Sequence, residues 1–244
     1  QFEKKGYAFR THSDTEVLLA AYQNHGLDFV SSLNGMFACA LHDAKYDVFI
    51  LVRDQFGIKP ILYTIAKGVL YFASEAKAFK AIPEWTARPD LNAWHAFMNV
   101  RFTPQPLTLF KDVFKLPPGS YMLIAKPGSS IPIPNAHQLL STVQFGEYRG
   151  SIYKYYNLPS VGLPSAGRDA PSQLNSILKE AVADQVKADT PTGVFLSGGL
   201  DSSTIAYHTA NENENETTSV CLGLGEHYDE NRDAREVAEL LGTR

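Results

Sequence analysis

The sequence has little of what would place it in several common protein classes. Only two of its 244 residues are cysteines, Cys39 and Cys221, and their wide separation gives no metal or redox spacing. We interpret both as small core residues in strands, which is typical of a reducing compartment. Apolar runs such as residues 17–22 and 36–41 reach only six residues, too few for a membrane span or a signal peptide. We therefore expect a cytoplasmic protein with no membrane partner.

The sequence also lacks an excess of positive charge. It has 22 Lys and Arg residues against 26 Asp and Glu, a net charge of −4, which leaves no broad basic surface for nucleic acid. The histidines show no metal-ligand spacing, and we interpret each as a surface or packing residue. They are His12, His25, His42, His95, His137, His208 and His227.

What is present is enough length and apolar content, 44% hydrophobic residues, for one large or two small domains. The first part predicts a helix at 15–23, capped by Ser13 or Asp14, and then an antiparallel β-meander. Its strands are predicted at residues 36–42, 48–53, 60–65 and 69–73. Helical segments at 75–79 and 91–98 and a strand at 120–125 follow. Residues 126–150 show no strong periodicity and predict an irregular segment.

A Pro-, Gly- and Ser-rich linker at residues 158–172 separates this part from one of a different pattern. The second part predicts an amphipathic helix at 172–186, with Asp169 as its cap and Pro171 in its first turn. Strands at 193–196 and 219–223 then alternate with helices at 201–210 and 230–241. This alternation favours parallel pairing. The sequence therefore predicts two domains, residues 1–157 and 158–244.

The most informative motif follows the strand that ends at Leu196. Ser197-Gly198-Gly199 forms a turn, and a helix is predicted to open at about Asp201, with Ser202 and Ser203 in its first turn. Paired glycines let the backbone approach a ligand closely, and a helix N-terminus favours anions. The pattern predicts a phosphate cradle, although a corner without a ligand remains an alternative. It is not a Walker A loop, because it lacks the Gly-Lys-Ser/Thr ending. Asp201 is either a Mg²⁺ ligand or a helix N-cap.

Seven blocks of sequence, in order, resemble the glutamine-dependent asparagine synthetase family, which joins a class II glutamine amidotransferase domain to an asparagine synthase domain. The last but one contains the turn just described, and another is Arg53-Asp54-Gln55-Phe56-Gly57-Ile58-Lys59-Pro60. The blocks are residues 13–17, 33–38, 53–60, 73–78, 116–119, 190–203 and 228–230. The resemblance implies an α+β N-terminal-nucleophile sandwich, followed by the start of an α/β parallel-sheet, adenine-nucleotide α-hydrolase-like domain.

By this resemblance the substrates are glutamine, aspartate and ATP with Mg²⁺, the intermediate is β-aspartyl-AMP, and a homodimer is left open. Asp14 would bind the amino group of glutamine, with a helix N-cap as the alternative. Leu196 and Leu222 would contact the nucleotide, with core packing as the alternative. We interpret Lys59, Glu75 and Lys77 as structural, and Arg53 with Asp54 as a pair that holds a turn. The remaining ATP and pyrophosphate contacts are implied for Ser197, Gly198, Gly199, Asp201, Ser202 and Ser203, with Asp201 on Mg²⁺.

The sequence departs from this family at its ends. It begins with Gln1, whereas the amidotransferase nucleophile is an N-terminal cysteine whose own amine serves as base. Cys39 lies inside a predicted strand and has no free amine. We therefore expect an internal fragment of a longer synthetase, inactive by itself. Two alternatives stay open: a β-lactam synthetase or peptide cyclase type of enzyme, and a non-catalytic amidotransferase-like binding module.

Overall fold

The computed structural model of the chain describes residues 7–83, 85–129, 131–159, 169–188, 190–213, 217–223 and 230–244. The chain divides into two compact units, Gln1–Pro159 and Ser160–Arg244, and each is described by itself. Within the described residues, no helix combines the length and the apolar character that a membrane crossing requires.

The first unit is an α+β structure with antiparallel sheets. Two 3₁₀ helices, Gly26–Asp28 and Ala76–Ala81, accompany its regular elements. These are, in order, α1 (Asp14–His25), α2 (Phe29–Ser32), β1 (Ala38–Asp43), β2 (Val48–Arg53), β3 (Leu62–Ala66), β4 (Val69–Ala73), α3 (Leu91–Val100), β5 (Val113–Lys115), β6 (Ser120–Ala125), β7 (Gln138–Phe145) and β8 (Tyr148–Lys154).

Helix α1 confirms the predicted helix and settles its cap. The Ser13 hydroxyl accepts a hydrogen bond from the Thr15 amide at 3.2 Å, so Ser13 and not Asp14 caps the helix. The helix ends at Gly26, whose φ of +56° favours glycine and whose N–H donates to the Tyr22 carbonyl.

The strands form a five-stranded sheet in the order β1-β2-β6-β8-β7 and a three-stranded sheet in the order β4-β3-β5. Side chains alternate between the two faces of a strand, and the large sheet packs on both. One face, with Ile50 and Tyr121, packs against residues from α1 and α2, including Ala21 and Phe29. The other face, with Met122, packs against Tyr63 of the small sheet and against Ile61, which directly precedes β3. The core therefore has three layers: helices, large sheet and small sheet.

The predicted four-strand meander is wrong as a single unit. The hairpins β1–β2 and β3–β4 form as expected, but β2 pairs on its other edge with β6, and β3 pairs with β5. Five of the six β2 residues are buried, as are five of the six in β6. A central strand needs partners on both edges because buried backbone groups must be hydrogen-bonded, and β6 meets this requirement for β2.

The prediction that residues 126–150 are irregular is also wrong in its second half. Strands β7 and β8 form an antiparallel hairpin around Gly146, whose φ is +54°. One of the eight residues of β7 is buried, one is partly exposed and six are exposed. Because neither face of this edge strand is consistently buried, its sequence shows no period of two.

The second unit contains α4 (Ala170–Gln185), β9 (Gly193–Phe195), α5 (Leu200–Glu212), β10 (Thr218–Val220) and α6 (Asn231–Leu241). Strands β9 and β10 pair in parallel. Leu196, Ala206 and Ala234 form the buried cluster beside them. Pro171 lies in the first turn of α4, but the Asp169 side chain makes no capping bond. On the apolar face predicted for α4, Val182 is buried, whereas Leu174 is 57% exposed and Ile177 is 63% exposed.

Candidate functional site

The predicted cradle, here called the Ser197 loop (residues 196–203), connects β9 to α5. The Leu196 amide donates to the Val220 carbonyl at 2.9 Å, which extends the parallel pairing by one bond beyond β9. The loop therefore leaves the carboxyl end of β9, beside the carboxyl end of β10. This is the edge at which ligands bind to parallel sheets.

Ser197 and Ser202 hold the loop in shape. Their hydroxyl oxygens are 2.8 Å apart, and the Ser197 amide donates to the Ser202 hydroxyl at 3.2 Å. The Ser202 hydroxyl also donates to the Gly199 carbonyl at 3.1 Å. These hydroxyls therefore organise the loop itself, and their predicted contact with pyrophosphate remains a prediction.

The two glycines have different structural roles. Gly198 has a φ of +76°, and a methyl group there would come within 2.6 Å of the Asp233 Cβ and 2.9 Å of the Ala234 amide nitrogen. Gly198 is thus required by the close approach of the loop to α6. At Gly199 the backbone is extended, and an added methyl would meet only the Ser197 hydroxyl oxygen, at 3.4 Å. Packing therefore does not explain the glycine at 199.

The N-terminus of α5 is open. Its N-cap is Gly199, and no side chain caps its first amides, so Asp201 is not the N-cap. Asp201 is exposed in the first turn of this 13-residue helix. Free amides at the start of a helix attract anions. Within the described residues no group of three or more His, Cys, Asp and Glu side chains converges, so the assignment of Mg²⁺ to Asp201 stays a prediction.

The other predicted nucleotide contacts differ in exposure. Leu196 is 3% exposed and packs with Ala206 and Ala234, which supports its core-packing alternative. Leu222 lies two residues beyond the end of β10 and is 73% exposed. The Ser203 hydroxyl is buried and has no hydrogen-bond partner among the residues that the structure describes, an arrangement that costs about 1–3 kcal/mol. The predicted segment 228–230 lies outside the described residues except for Glu230, which precedes α6.

In the first unit Asp14 is the first residue of α1, and its carboxylate is exposed. It makes one long contact, 3.5 Å from the Thr15 hydroxyl. The neighbouring Glu16 has the structural role that the sequence reasoning missed. Its carboxylate accepts hydrogen bonds from the Arg10 amide at 2.9 Å and from the Thr11 hydroxyl at 2.6 Å. These bonds hold the pKa of Glu16 below its usual range. The Ser-x-x-Glu spacing of Ser13 and Glu16, typical of a helix start, was the available signal.

Residues 53–60, here called the Arg53 turn, form a closed polar network. Arg53 donates to the carbonyls of Lys59, Leu116 and Gly57 at 2.6–3.0 Å. Burial lowers the pKa of Arg53, and the neighbouring Asp54 opposes this shift.

Asp54 is 1% exposed and accepts from the amides of Phe56, Ile58 and Lys59 at 2.9–3.1 Å. The two side chains therefore hold the turn through main-chain groups. This refines the interpretation that they pair with each other.

The remaining candidates are consistent with structural or surface positions. Lys77 forms an exposed ion pair with Glu75 at 2.6 Å, and Lys59 is exposed. Cys39 lies in β1 with its thiol largely buried, and burial raises the pKa of that thiol to about 11. A thiol with this pKa is a poor nucleophile near neutral pH. Cys221 follows the end of β10 and is partly buried.

Comparisons with known proteins show two regions of similarity. A family described as a glutamine amidotransferase domain matches residues 1–133, and a family described as asparagine synthase matches residues 173–244. Glutamine-hydrolysing asparagine synthetase 1 of Bacillus subtilis is 33% identical over 243 residues, covering 99% of this chain and 35% of that protein. Asparagine synthetase 3 of the same organism is 31% identical, covering 95% and 34%.

Two further comparisons are with a protein named an amidase and with a solved structure of lower sequence identity. The amidase chyE of Penicillium rubens is 33% identical over 209 residues, covering 82% of this chain and 27% of that protein. Among solved structures, a glutamine phosphoribosylpyrophosphate amidotransferase of B. subtilis is 16% identical with a TM-score of 0.37, covering 93% of this chain and 43% of that one. The chain spans about a third of the length of the curated relatives it matches.

Proposed function

This chain belongs to the glutamine amidotransferase family through residues 1–133 and matches asparagine synthase over residues 173–244, and we propose that it forms part of an ATP-dependent, glutamine-hydrolysing asparagine synthetase. In this proposal residues 1–157 belong to the domain that releases ammonia from glutamine. Residues 158–244 belong to an α/β nucleotide-binding domain that activates aspartate. A cytoplasmic location and a homodimer remain predictions.

The proposed chemistry explains why a phosphate-binding loop is needed. A carboxylate oxygen is a poor leaving group, so the aspartate side chain first attacks the α-phosphate of ATP. This step gives β-aspartyl-AMP and pyrophosphate, and ammonia then displaces AMP to form the amide. The chain's own residues would hold the departing pyrophosphate, whose negative charge needs donors that are already in place.

The Ser197 loop carries this part of the proposal. Gly199 has room for a ligand against its backbone, and the amides at the start of α5 have no side-chain cap. The hydroxyls of Ser197, Ser202 and Ser203 lie in the same seven-residue segment. An exposed carboxylate at Asp201 fits Mg²⁺, which is bound by one or two carboxylates together with phosphate oxygens. Mg²⁺ would neutralise phosphate charge when bound there.

Asp14 carries the glutamine part of the proposal. Ser13 caps α1 and Glu16 binds the preceding segment, so among the described residues the exposed Asp14 carboxylate makes no capping bond. A carboxylate of this kind pairs with an ammonium group through charge-assisted hydrogen bonds. We propose that Asp14 binds the amino group of glutamine.

The decisive experiment is pyrophosphate exchange into ATP, stimulated by aspartate, in the natural full-length protein. Asp201→Asn should reduce the exchange rate about 100-fold, since a charge-assisted contact contributes about 1.5–3 kcal/mol. The control is Asp184→Asn, which changes an exposed carboxylate on α4. This variant should keep the wild-type rate. Equal exchange in the Asp201 variant and the control would overturn the assignment.

A second measurement separates the glutamine site. Asp14→Asn should raise the KM for glutamine about tenfold or more and leave synthesis from free ammonia unchanged. If both nitrogen sources are affected equally, Asp14 does not bind glutamine.

One observation favours a second candidate function. Fungal proteins named amidases are 33% and 31% identical to this chain, as similar as the synthetases are. A related ATP-dependent amide-forming enzyme with another acceptor is therefore the alternative. Exchange stimulated by a different carboxylic acid, and not by aspartate, would select it. If no carboxylic acid stimulates exchange, the remaining alternative is a non-catalytic binding module.

A further inference from the structure

A cavity of about 500 Å³ lies on the first unit, and neither Asp14 nor the Arg53 turn lines it. It opens on the face of the large sheet that packs against α1 and α2. The connection between β6 and β7 covers part of this face, and Ile131 of that connection is 8% exposed within the same core cluster. Pockets of 300–1,000 Å³ with apolar walls and a few polar groups are typical of small-molecule sites.

Part of the cavity lining is apolar. Leu123 from β6 and Tyr153 from β8 lie on it, together with Ile131 and Ile133. The Tyr153 ring stacks on Tyr121 with their centroids 5.4 Å apart, which fixes its position. A wall of this composition favours the aliphatic or aromatic body of a ligand.

The rest of the lining carries positive charge and hydrogen-bond donors. Arg149 on β8 lies opposite Gln144 on β7, and both line the cavity, as do the hydroxyls of Ser129 and Ser151. None of the described residues that line the cavity has a carboxylate. The walls therefore favour an anionic group over a cation.

The two cations of the cavity are not equivalent. Lys126 is 3.4 Å from a Glu147 carboxylate oxygen and 5.2 Å from the centre of the Tyr148 ring, so its charge is partly balanced. Arg149 is exposed and has no ion pair among the described residues. A planar guanidinium binds carboxylate or phosphate with two parallel hydrogen bonds.

We propose that this cavity binds a small organic anion, with a carboxylate or phosphate group held by Arg149 and an apolar body against Leu123, Ile131 and Tyr153. This proposal does not rest on the proposed function.

The test is calorimetric titration of the natural full-length protein with 2-naphthylacetate and with 2-naphthyl phosphate, which share the apolar ring and differ in the anion. Uncharged 2-naphthylethanol is the chemical control. At least one anion should bind at a single site, at least about tenfold more tightly than the alcohol. The preferred anion identifies the natural head group as carboxylate or phosphate. Equal binding of the alcohol, or no binding of either anion at millimolar concentration, would overturn the proposal.

Substitutions locate the site. Arg149→Gln should weaken binding about 10- to 100-fold. The control is Arg88→Gln, which replaces an exposed arginine outside the cavity and should leave the affinity unchanged. Ser151→Val removes a hydroxyl from the cavity lining. It should weaken binding of the anion but not binding of the alcohol. Unchanged affinity in Arg149→Gln, with a thermal unfolding curve like that of wild type, contradicts the assignment.

Discussion

The Arg53 turn of the first unit and the Ser197 loop of the second both follow a strand and both contain glycine and aspartate, but they use their polar groups differently. In the Arg53 turn, Arg53 and Asp54 are buried and each makes three bonds to the main chain. In the Ser197 loop, Asp201 is exposed, the first amides of α5 are uncapped, and the Ser203 hydroxyl has no partner. A turn whose polar groups are all satisfied internally has a structural role. One whose polar groups remain available has capacity for a ligand.

The largest expected effect is a difference in stability between variants of Asp54 and variants of Asp201. Asp54→Ala leaves three partly buried amides without the buried carboxylate that accepts from them and should lower the free energy of unfolding by about 2–3 kcal/mol. Asp201→Ala removes an exposed side chain and should change it by less than about 0.5 kcal/mol. Urea denaturation of both variants measures this difference. If the two lose similar stability, the contrast between turn and loop is wrong.

The two glycines divide the Ser197 loop into a structural and a ligand-facing position. Gly198→Ala combines a left-handed backbone with an overlap against α6 and should cost about 2–4 kcal/mol. Gly199→Ala fits its extended backbone and should change stability by less than about 0.5 kcal/mol, while weakening ATP binding by the full-length protein. Thermal unfolding and ATP titration distinguish them. If the Gly199 variant binds ATP as tightly as wild type, Gly199 does not face the ligand.

The two serines at the start of α5 should respond in opposite directions. Ser202→Ala removes the hydroxyl that organises the loop and should cost about 1 kcal/mol. Ser203→Ala removes a buried hydroxyl without a partner and should leave the free protein as stable or slightly more stable. Both should weaken ATP binding if their hydroxyls reach phosphate. Denaturation with and without ATP provides the measurement, and a Ser203 variant destabilised as much as the Ser202 variant contradicts this reading.

The smallest effect is expected for Glu16, a hydrogen-bonded carboxylate that lies outside the Arg53 turn and the Ser197 loop. Hydrogen bonds from Thr11 and Arg10 lower the folded-state pKa of Glu16 below its ordinary value of 4.5. Its stabilising contribution is therefore complete above about pH 4.5 and is lost as the pH falls through the lowered pKa. Glu16→Gln should remove this part of the pH dependence. Unfolding curves at pH 6 and at successively lower pH test it, and parallel profiles for the two proteins would show that Glu16 makes no such contribution.

The sequence predicted local structure well where one signal was strong. The bounds of β2, β4 and β6 agree with prediction, because dense apolar runs end at turn residues. It failed at β7, an edge strand with almost no buried residue, and at the pairing of β2 with β6. The candidate loop could also be located from its glycines and serines, but the separate roles of Gly198 and Gly199 could not.

By itself, the sequence determined the positions of α1, β2, β4 and β6, the position of the Ser197 loop and the family resemblance, because turns and periodicity act between neighbouring residues. Only the tertiary structure decided which strand lies beside which and that Gly198 faces α6. These outcomes depend on contacts between residues far apart in the chain, where packing and the need to satisfy buried polar groups select one arrangement among many that the local pattern permits.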